Sequence, residues 1–151
     1  MRVIVAAVGR VRDSALAAAT AEYEKRASRY WKLEIREVRE ERGSEAAIMR
    51  KREGERLLEK VGNMPYVACD EGGRAMTSRE FATWLGAARD EGREAAFVIG
   101  GAFGLDDEVR RRAALRLSLS PWTLPHELAR VVLIEQLYRA GTILRGEPYH
   151  K

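Results

Sequence analysis

The chain has 151 residues, of which 33% are charged and 46% hydrophobic, with a net charge of +4 and a pI of about 9.5. This length predicts one domain, residues 1–151, with a core of its own. The single Cys69 and two His exclude an internal disulfide and a structural zinc cluster. The longest uncharged stretch, 95–105, is too short for a membrane span, which needs ~18 residues. We therefore expect a cytoplasmic protein without metal or membrane partners.

The first half of the chain alternates strand and helix patterns. The predicted elements, in order, are a buried strand at 2–8, a helix at 14–29 capped by Asp13 or Ser14, a half-exposed edge strand at 33–38, a helix at 44–61 and a strand at 65–69. In the second helix, the residues expected to face inward are Ala47, Ile48, Leu57, Leu58 and Val61. Residues 70–73 are expected to form a loop.

The second half continues this alternation. The elements are a helix opened by the capping-box pattern Thr77-Ser78-Arg79-Glu80, a central strand at 95–99, a glycine loop at 100–104, a short helix at 106–114, a strand at 115–119 and a helix at 125–140 that stops at Gly141. Five such alternations predict an α/β fold with a mostly parallel sheet flanked by helices. Ligands bind at the carboxyl ends of strands in such sheets, so the loops of interest are 70–76, 100–105 and 119–124.

Two of these loops differ from the rest of the chain in their lack of charge. The loop Gly100-Gly101-Ala102-Phe103-Gly104 lacks the spacing of a dinucleotide fingerprint and the Lys of a P-loop. The helix after it opens with Asp106-Asp107-Glu108, which would repel phosphate. Residues 117–126 are also uncharged and would suit an adenine ring and a thioether. A tight turn and a buried loop are the alternative interpretations of the two segments.

The basic residues are unusual in kind, with 22 Arg against 5 Lys. The Arg fork suits phosphate and carboxylate groups, so RNA binding is one explanation of this bias, beside a solvated surface laced with ion pairs. Heat adaptation or codon composition explains the same bias, and the sequence does not separate these explanations. At the carboxyl terminus, Pro148-Tyr149-His150-Lys151 combines an aromatic ring, an imidazole and a cation, which would suit a nucleobase and its phosphate. A frayed tail is the alternative.

These segments together resemble the RlmH family, the ribosomal RNA large-subunit methyltransferase H proteins of the SPOUT superfamily. The likeness rests on 118–131, on Glu135-Gln136-Leu137-Tyr138-Arg139-Ala140 and on the terminal Pro148-Tyr149-His150-Lys151, and extends over the whole chain. It implies a SPOUT fold with a C-terminal trefoil knot and a homodimer. It further implies S-adenosylmethionine as cofactor and methylation of N3 of pseudouridine 1915 of 23S rRNA in the assembled ribosome.

The resemblance also assigns site residues. The positions that match the cofactor pocket are Cys69, Gly100, Gly101, Gly104, Leu119, Ser120, Pro121, Trp122, Thr123 and Leu124. His150 is the candidate for proton removal and Tyr149 for holding the base, while Arg139, Arg145 and Lys151 are the candidate RNA contacts. The family usually has Pro where this chain has Ala102.

Two alternative functions remain open at this stage. One is an RNA-binding module without catalysis, for which an Arg-rich surface would suffice but the uncharged 117–126 segment would have no use. The other is a nucleotide-phosphate enzyme on an open sheet, which Asp106, Asp107 and Glu108 disfavour.

Overall fold

The computed structural model describes residues 1–151, and five parallel strands form its single sheet. The strands are β1 (Arg2–Val8), β2 (Lys32–Val38), β3 (Tyr66–Ala75), β4 (Ala95–Ile99) and β5 (Leu115–Ser118). Their order across the sheet is β2-β1-β4-β3-β5, and every pairing is parallel. The prediction of an α/β fold with a parallel sheet is therefore confirmed, with β2 at an edge and the fully buried β4 in the middle.

One helix follows each strand, and the last helix follows β5. The helices are α1 (Ser14–Ala27), α2 (Ala46–Val61), α3 (Ser78–Asp90), α4 (Asp107–Arg112) and α5 (His126–Leu144). Asp13 caps α1 by accepting a hydrogen bond from the backbone N–H of Leu16, and Thr77 with Glu80 forms the predicted capping box of α3. These short polar signals fix the helix starts because the first backbone N–H groups of a helix have no partner within it.

Alternate residues of the central strands supply two hydrophobic cores, one on each face of the sheet. Val3, Val5 and Phe97 face α1, α3 and α5, whereas Ile4 and Val98 face α2 and α4. This alternation follows from the two-residue period of a strand. The last helix lies between α1 and α3, and the indole Nε1 of Trp31 donates a 2.8 Å hydrogen bond to the Leu137 carbonyl oxygen. The trefoil knot stays a prediction of the family resemblance.

The inward face predicted for α2 is partly wrong. Leu57 and Val61 are buried as expected, but Ala47 is exposed and Ile48 remains 44% exposed. The buried stripe runs through Met49 and Glu53 instead, at spacings of four residues. Because the charged Glu53 lies on the inner face of the helix, a prediction from hydrophobic residues alone assigns the wrong residues to the first part of that face.

The predicted end of α5 at Gly141 is also wrong, because this glycine serves close packing rather than termination. A Cβ placed at Gly141 would lie 2.3 Å from Cγ of Tyr30, so only glycine lets the helix approach the Tyr30 ring. The helix continues one turn to Leu144, and the left-handed Gly146 follows it.

The predicted loop at 70–73 belongs instead to an irregular part of β3. Cys69 and Arg74 both pair with Leu117 of β5, so the four residues between them bulge out of the ladder. The bulge moves these four residues of β3 out of the regular pairing with β5.

None of the helices is both long and apolar enough to cross a membrane.

Candidate cofactor site and carboxyl-terminal tail

A cavity of about 650 Å³ opens at the carboxyl end of the sheet, where the strand ends bring three loops together. Nine of the ten predicted cofactor residues line it: Cys69, Gly100, Gly101, Gly104, Leu119, Ser120, Trp122, Thr123 and Leu124. Pro121 lies in the same loop but is not part of the lining. The structure therefore brings the predicted loops together around one cavity, and their role in binding the cofactor stays a prediction.

The glycine loop is closely packed against itself. Gly101 and Gly104 form a small antiparallel bridge, in which the N–H of Gly104 donates a 3.0 Å hydrogen bond to the carbonyl of Gly101. Gly104 has a φ of +79°, and a Cβ at Gly100 would lie 2.6 Å from the Gly104 carbonyl group. Both positions therefore require glycine, and at these two positions the loop presents only backbone to the cavity.

The uncharged loop after β5 is held by its own hydroxyl groups. Ser118 Oγ donates a 2.8 Å hydrogen bond to the Ser120 carbonyl, and Ser120 Oγ accepts one of 3.0 Å from the backbone N–H of Trp122. The Thr123 hydroxyl donates a 2.6 Å hydrogen bond to Glu71 of the β3 bulge. This last contact links two of the three loops across the cavity.

Carboxylates contribute to one side of the cavity, which the site prediction did not include. Asp70 and Glu71 both line it, and Asp70 accepts hydrogen bonds of 2.9 and 2.5 Å from the guanidinium of Arg116. The sequence marked the 70–76 segment but gave no signal for these partners, because Arg116 and Thr123 are distant in sequence. His126, which also lines the cavity, lies 3.5 Å from Glu40.

The acidic start of α4 is less repulsive than the sequence indicated. Asp106 caps the helix through the N–H of Glu108, while Asp107 pairs with Arg110 and Glu108 with Arg111. The pairing with Arg110 holds the pKa of Asp107 below its ordinary value. The carboxylates of α4 therefore argue less strongly against a phosphate ligand. The shape and polarity of the cavity indicate the class of ligand better.

Cys69 is half-buried and lines the cavity. Burial raises its pKa to about 12, since removal from water disfavours the thiolate. The sulfur is thus a small apolar wall at neutral pH and has no nucleophilic role there. No cluster of three His, Cys, Asp or Glu side chains is arranged to bind a metal ion.

The carboxyl-terminal tail is ordered against α5, away from the cavity. Tyr149 donates a 2.9 Å hydrogen bond to Glu135, and its ring lies 4.6 Å from that of Tyr138 between centroids. Burial, followed by hydrogen bonding with Tyr23 and Glu135, raises the pKa of Tyr149. Neither Tyr149 nor His150 lines the cavity. Within one chain, the structure therefore does not bring the two catalytic candidates to the cofactor candidates.

Contacts within the chain also occupy two of the three RNA-binding candidates. Arg139 forms hydrogen bonds of 3.0 and 2.6 Å with Glu135, lies 3.2 Å from Nδ1 of His150 and stacks over Tyr149. Because Arg139 can only donate, a hydrogen bond here requires Nδ1 of His150 as its acceptor. Arg145 stacks over Tyr30 at 4.7 Å, and Lys151 is exposed.

Comparisons with known proteins agree on one family. The family model described as "Predicted SPOUT methyltransferase" matches residues 1–150. The chain is 55% identical to the ribosomal RNA large subunit methyltransferase H of Gemmatimonas aurantiaca, with all of both chains covered. It is 47% identical to the protein of the same name from Geobacter sp. strain M21, with 99% of each covered.

Solved structures share this fold at low sequence identity. A methylase family protein from Haemophilus influenzae superposes with a TM-score of 0.59 at 14% identity, covering 99% of this chain and 70% of that one. A methyltransferase from Bordetella pertussis gives a TM-score of 0.55 at 12% identity, covering 92% and 95%.

Proposed function

This chain belongs to the SPOUT methyltransferase family and uses S-adenosylmethionine as methyl donor, and from that premise we propose that it methylates N3 of a pseudouridine in 23S rRNA of the assembled ribosome. The observation that carries the proposal is its full-length similarity to proteins named ribosomal RNA large subunit methyltransferase H. The place of action is then the cytoplasm, where the ribosome assembles.

The cavity has the features that S-adenosylmethionine needs. The glycine loop offers backbone groups at close range, the loop at 119–124 offers uncharged walls for an adenosine, and Cys69 also lines the cavity. Glu71, whose hydrogen-bond partner Thr123 is neutral, provides negative charge on one side, which suits a sulfonium cation, whereas Asp70 is paired with Arg116. When bound, the cofactor supplies a methyl group activated by that positive charge. The protein's main contribution is to hold the acceptor in line.

The acceptor nitrogen needs help because N3 of pseudouridine carries a proton. His150 is the group we assign to accept that proton, and Tyr149 the group that holds the base. For this role Nδ1 of His150 must leave Arg139, which occupies its lone pair in the single chain. Released from His150, Arg139 joins Arg145 and Lys151 as a contact for RNA phosphate.

We assign the active form to a homodimer in which the tail of each subunit completes the cavity of the other. The support is the separation of Tyr149 and His150 from the cavity of their own chain, although the tail is ordered. A variant with a damaged cavity, Gly100→Ala, and one with a damaged tail, His150→Ala, would each be inactive alone. Mixed and reassociated, they should recover about a quarter of the parent activity, since half of the dimers would carry one intact site. No recovery would contradict sharing of the tail.

The function itself is tested with ribosomes isolated from cells that lack this methylation. Incubation with S-adenosylmethionine labelled on the methyl group should transfer label to large-subunit RNA. His150→Ala should lose at least about tenfold in turnover while its calorimetric affinity for S-adenosylmethionine stays unchanged. Absence of transfer by the parent protein, with the cofactor bound, would leave an RNA-binding module as the function.

A further inference from the structure

A second groove, rich in arginine, lies beside the cofactor cavity. It is formed by the segments that follow β1 and β2, and nearly all of its lining is polar. Four arginines in it are exposed to solvent: Arg10, Arg12, Arg39 and Arg42. None of the candidate RNA contacts in the tail belongs to this groove.

Each acidic residue of the groove already forms an ion pair with at least one arginine of the chain. Glu37 pairs with Arg130 at 2.6 Å, and Glu40 pairs with Arg12 at 3.3 Å. The third, Glu41, pairs with two arginines of α2, Arg52 at 3.1 Å and Arg56.

Three of the exposed arginines therefore lack an anionic partner. Arg10, Arg39 and Arg42 form no ion pair within the chain. The lining itself holds four Arg against three Glu, and Arg130, Arg52 and Arg56 from outside it pair with two of these Glu. Glu127 at its margin accepts a 2.5 Å hydrogen bond from the backbone N–H of Arg12. The unpaired guanidinium groups leave a local excess of positive charge that a polyanion would satisfy.

Buried contacts fix the groove in shape. The guanidinium of Arg130, only 3% exposed, donates a 2.6 Å hydrogen bond to the carbonyl of Gly9 as well as binding Glu37. The N–H of Gly9 in turn donates a 2.8 Å hydrogen bond to the Val38 carbonyl. The two arginine-bearing segments are thus tied to each other and to α5, so a ligand would bind without first ordering them.

The first turn of α5 lines the cavity and contacts two residues of the groove. His126 lines the cavity and reaches Glu40 of the groove at 3.5 Å, while Glu127 holds Arg12 on the other side. We propose that this groove binds the phosphate backbone of the RNA next to the methylated nucleotide, with Arg10, Arg39 and Arg42 as the contacts. Arg forks bind phosphate oxygens in pairs, and such contacts set the register of the substrate. The inference rests on the proposed function, since it names how the same substrate is held.

The test compares two triple variants for equilibrium binding to unmethylated ribosomes at several salt concentrations. Arg10→Gln/Arg39→Gln/Arg42→Gln removes the groove charges. Lys32→Gln/Lys60→Gln/Arg93→Gln removes three exposed charges near the amino ends of the strands, at the end of the sheet opposite the groove. The groove variant should bind about tenfold or more weakly and flatten the slope of log K against log salt by about two to three. The control should stay within about twofold of the parent, because it touches no groove residue.

A third variant separates charge from shape. Arg10→Lys/Arg39→Lys/Arg42→Lys keeps the positive charges and should retain most of the salt slope. Equal binding by the groove variant and the control would overturn the inference, as would weaker binding with an unchanged slope, which would indicate a contact other than phosphate. Because binding is measured without methyl transfer, failure of the parent protein to methylate ribosomes would count against the proposed function alone.

Discussion

The hydroxyl of Thr123 donates a 2.6 Å hydrogen bond to the carboxylate of Glu71, and this contact closes one side of the cofactor cavity. Thr123 follows β5, whereas Glu71 lies in the bulge of β3. The bond therefore ties two separate loops together beside the cavity.

Replacement of Thr123 by Val removes the bond and keeps the shape of the side chain. We expect the affinity for S-adenosylmethionine to fall about three- to tenfold, since an exposed hydrogen bond of this kind contributes about 1 kcal/mol. Calorimetric titration measures the effect. Thr83→Val, which removes an exposed hydroxyl on α3, serves as the matched control and should bind normally. Equal affinities for the two variants would show that the contact is not part of the site.

Gly100→Ala should distort the glycine loop that forms one wall of the cavity. The added Cβ would lie 2.6 Å from the carbonyl group of Gly104, so the glycine loop must shift. We expect at least about a hundredfold loss of cofactor affinity, because this backbone forms one wall of the site. Gly43→Ala is the control, since its Cβ would meet nothing nearer than 3.8 Å. Normal binding by Gly100→Ala would refute the role of the loop.

Gly141→Ala tests the approach of α5 to Tyr30 and should affect stability. The new Cβ would meet the base of the Tyr30 ring at 2.3 Å, which costs about 1–3 kcal/mol of unfolding free energy. Urea denaturation measures this loss. Gly86→Ala is the comparison, because its contact at 2.7 Å is with the mobile end of Leu144 and should cost less. A smaller effect at Gly141 than at Gly86 would contradict the packing argument.

The thiol of Cys69 should resist alkylation in the native protein. Its pKa is raised by burial from 9.0 to about 12, so the native thiol keeps its proton where the unfolded thiol has lost it. Stability present below about pH 9 should therefore decline as the pH rises toward 12. Iodoacetamide labelling at about pH 9 should be slow in the native state and fast in denaturant. Rapid native labelling would place the sulfur in contact with water.

The sequence predicts the sheet better than the ends of its helices. The bounds of β1 and β4 match because their apolar runs are interrupted at once by glycine or charge. The end of α5 is predicted wrongly because Gly141 allows close packing against Tyr30, a contact that no local sequence pattern indicates. Similarly, Glu53 faces inward on α2 although its type predicts the surface.

The sequence predicts the loops of the candidate site but not the side-chain pairs that join them. Uncharged segments mark the walls of the cavity, because a third of the whole chain is charged and these segments are not. The pairs Thr123–Glu71 and Asp70–Arg116 join residues far apart in sequence, so only the folded chain shows them. For the same reason, the sequence did not distinguish the groove arginines from those in surface ion pairs.

The most direct test of the central claim is to locate the methyl group after the reaction. Unmethylated ribosomes are incubated with the protein and S-adenosylmethionine, and nuclease fragments of their 23S rRNA are analysed by mass spectrometry. We expect one added methyl group on a pseudouridine, at N3, and none with the Gly100→Ala variant. Methylation of another nucleotide, or of a ribosomal protein, would contradict this expectation.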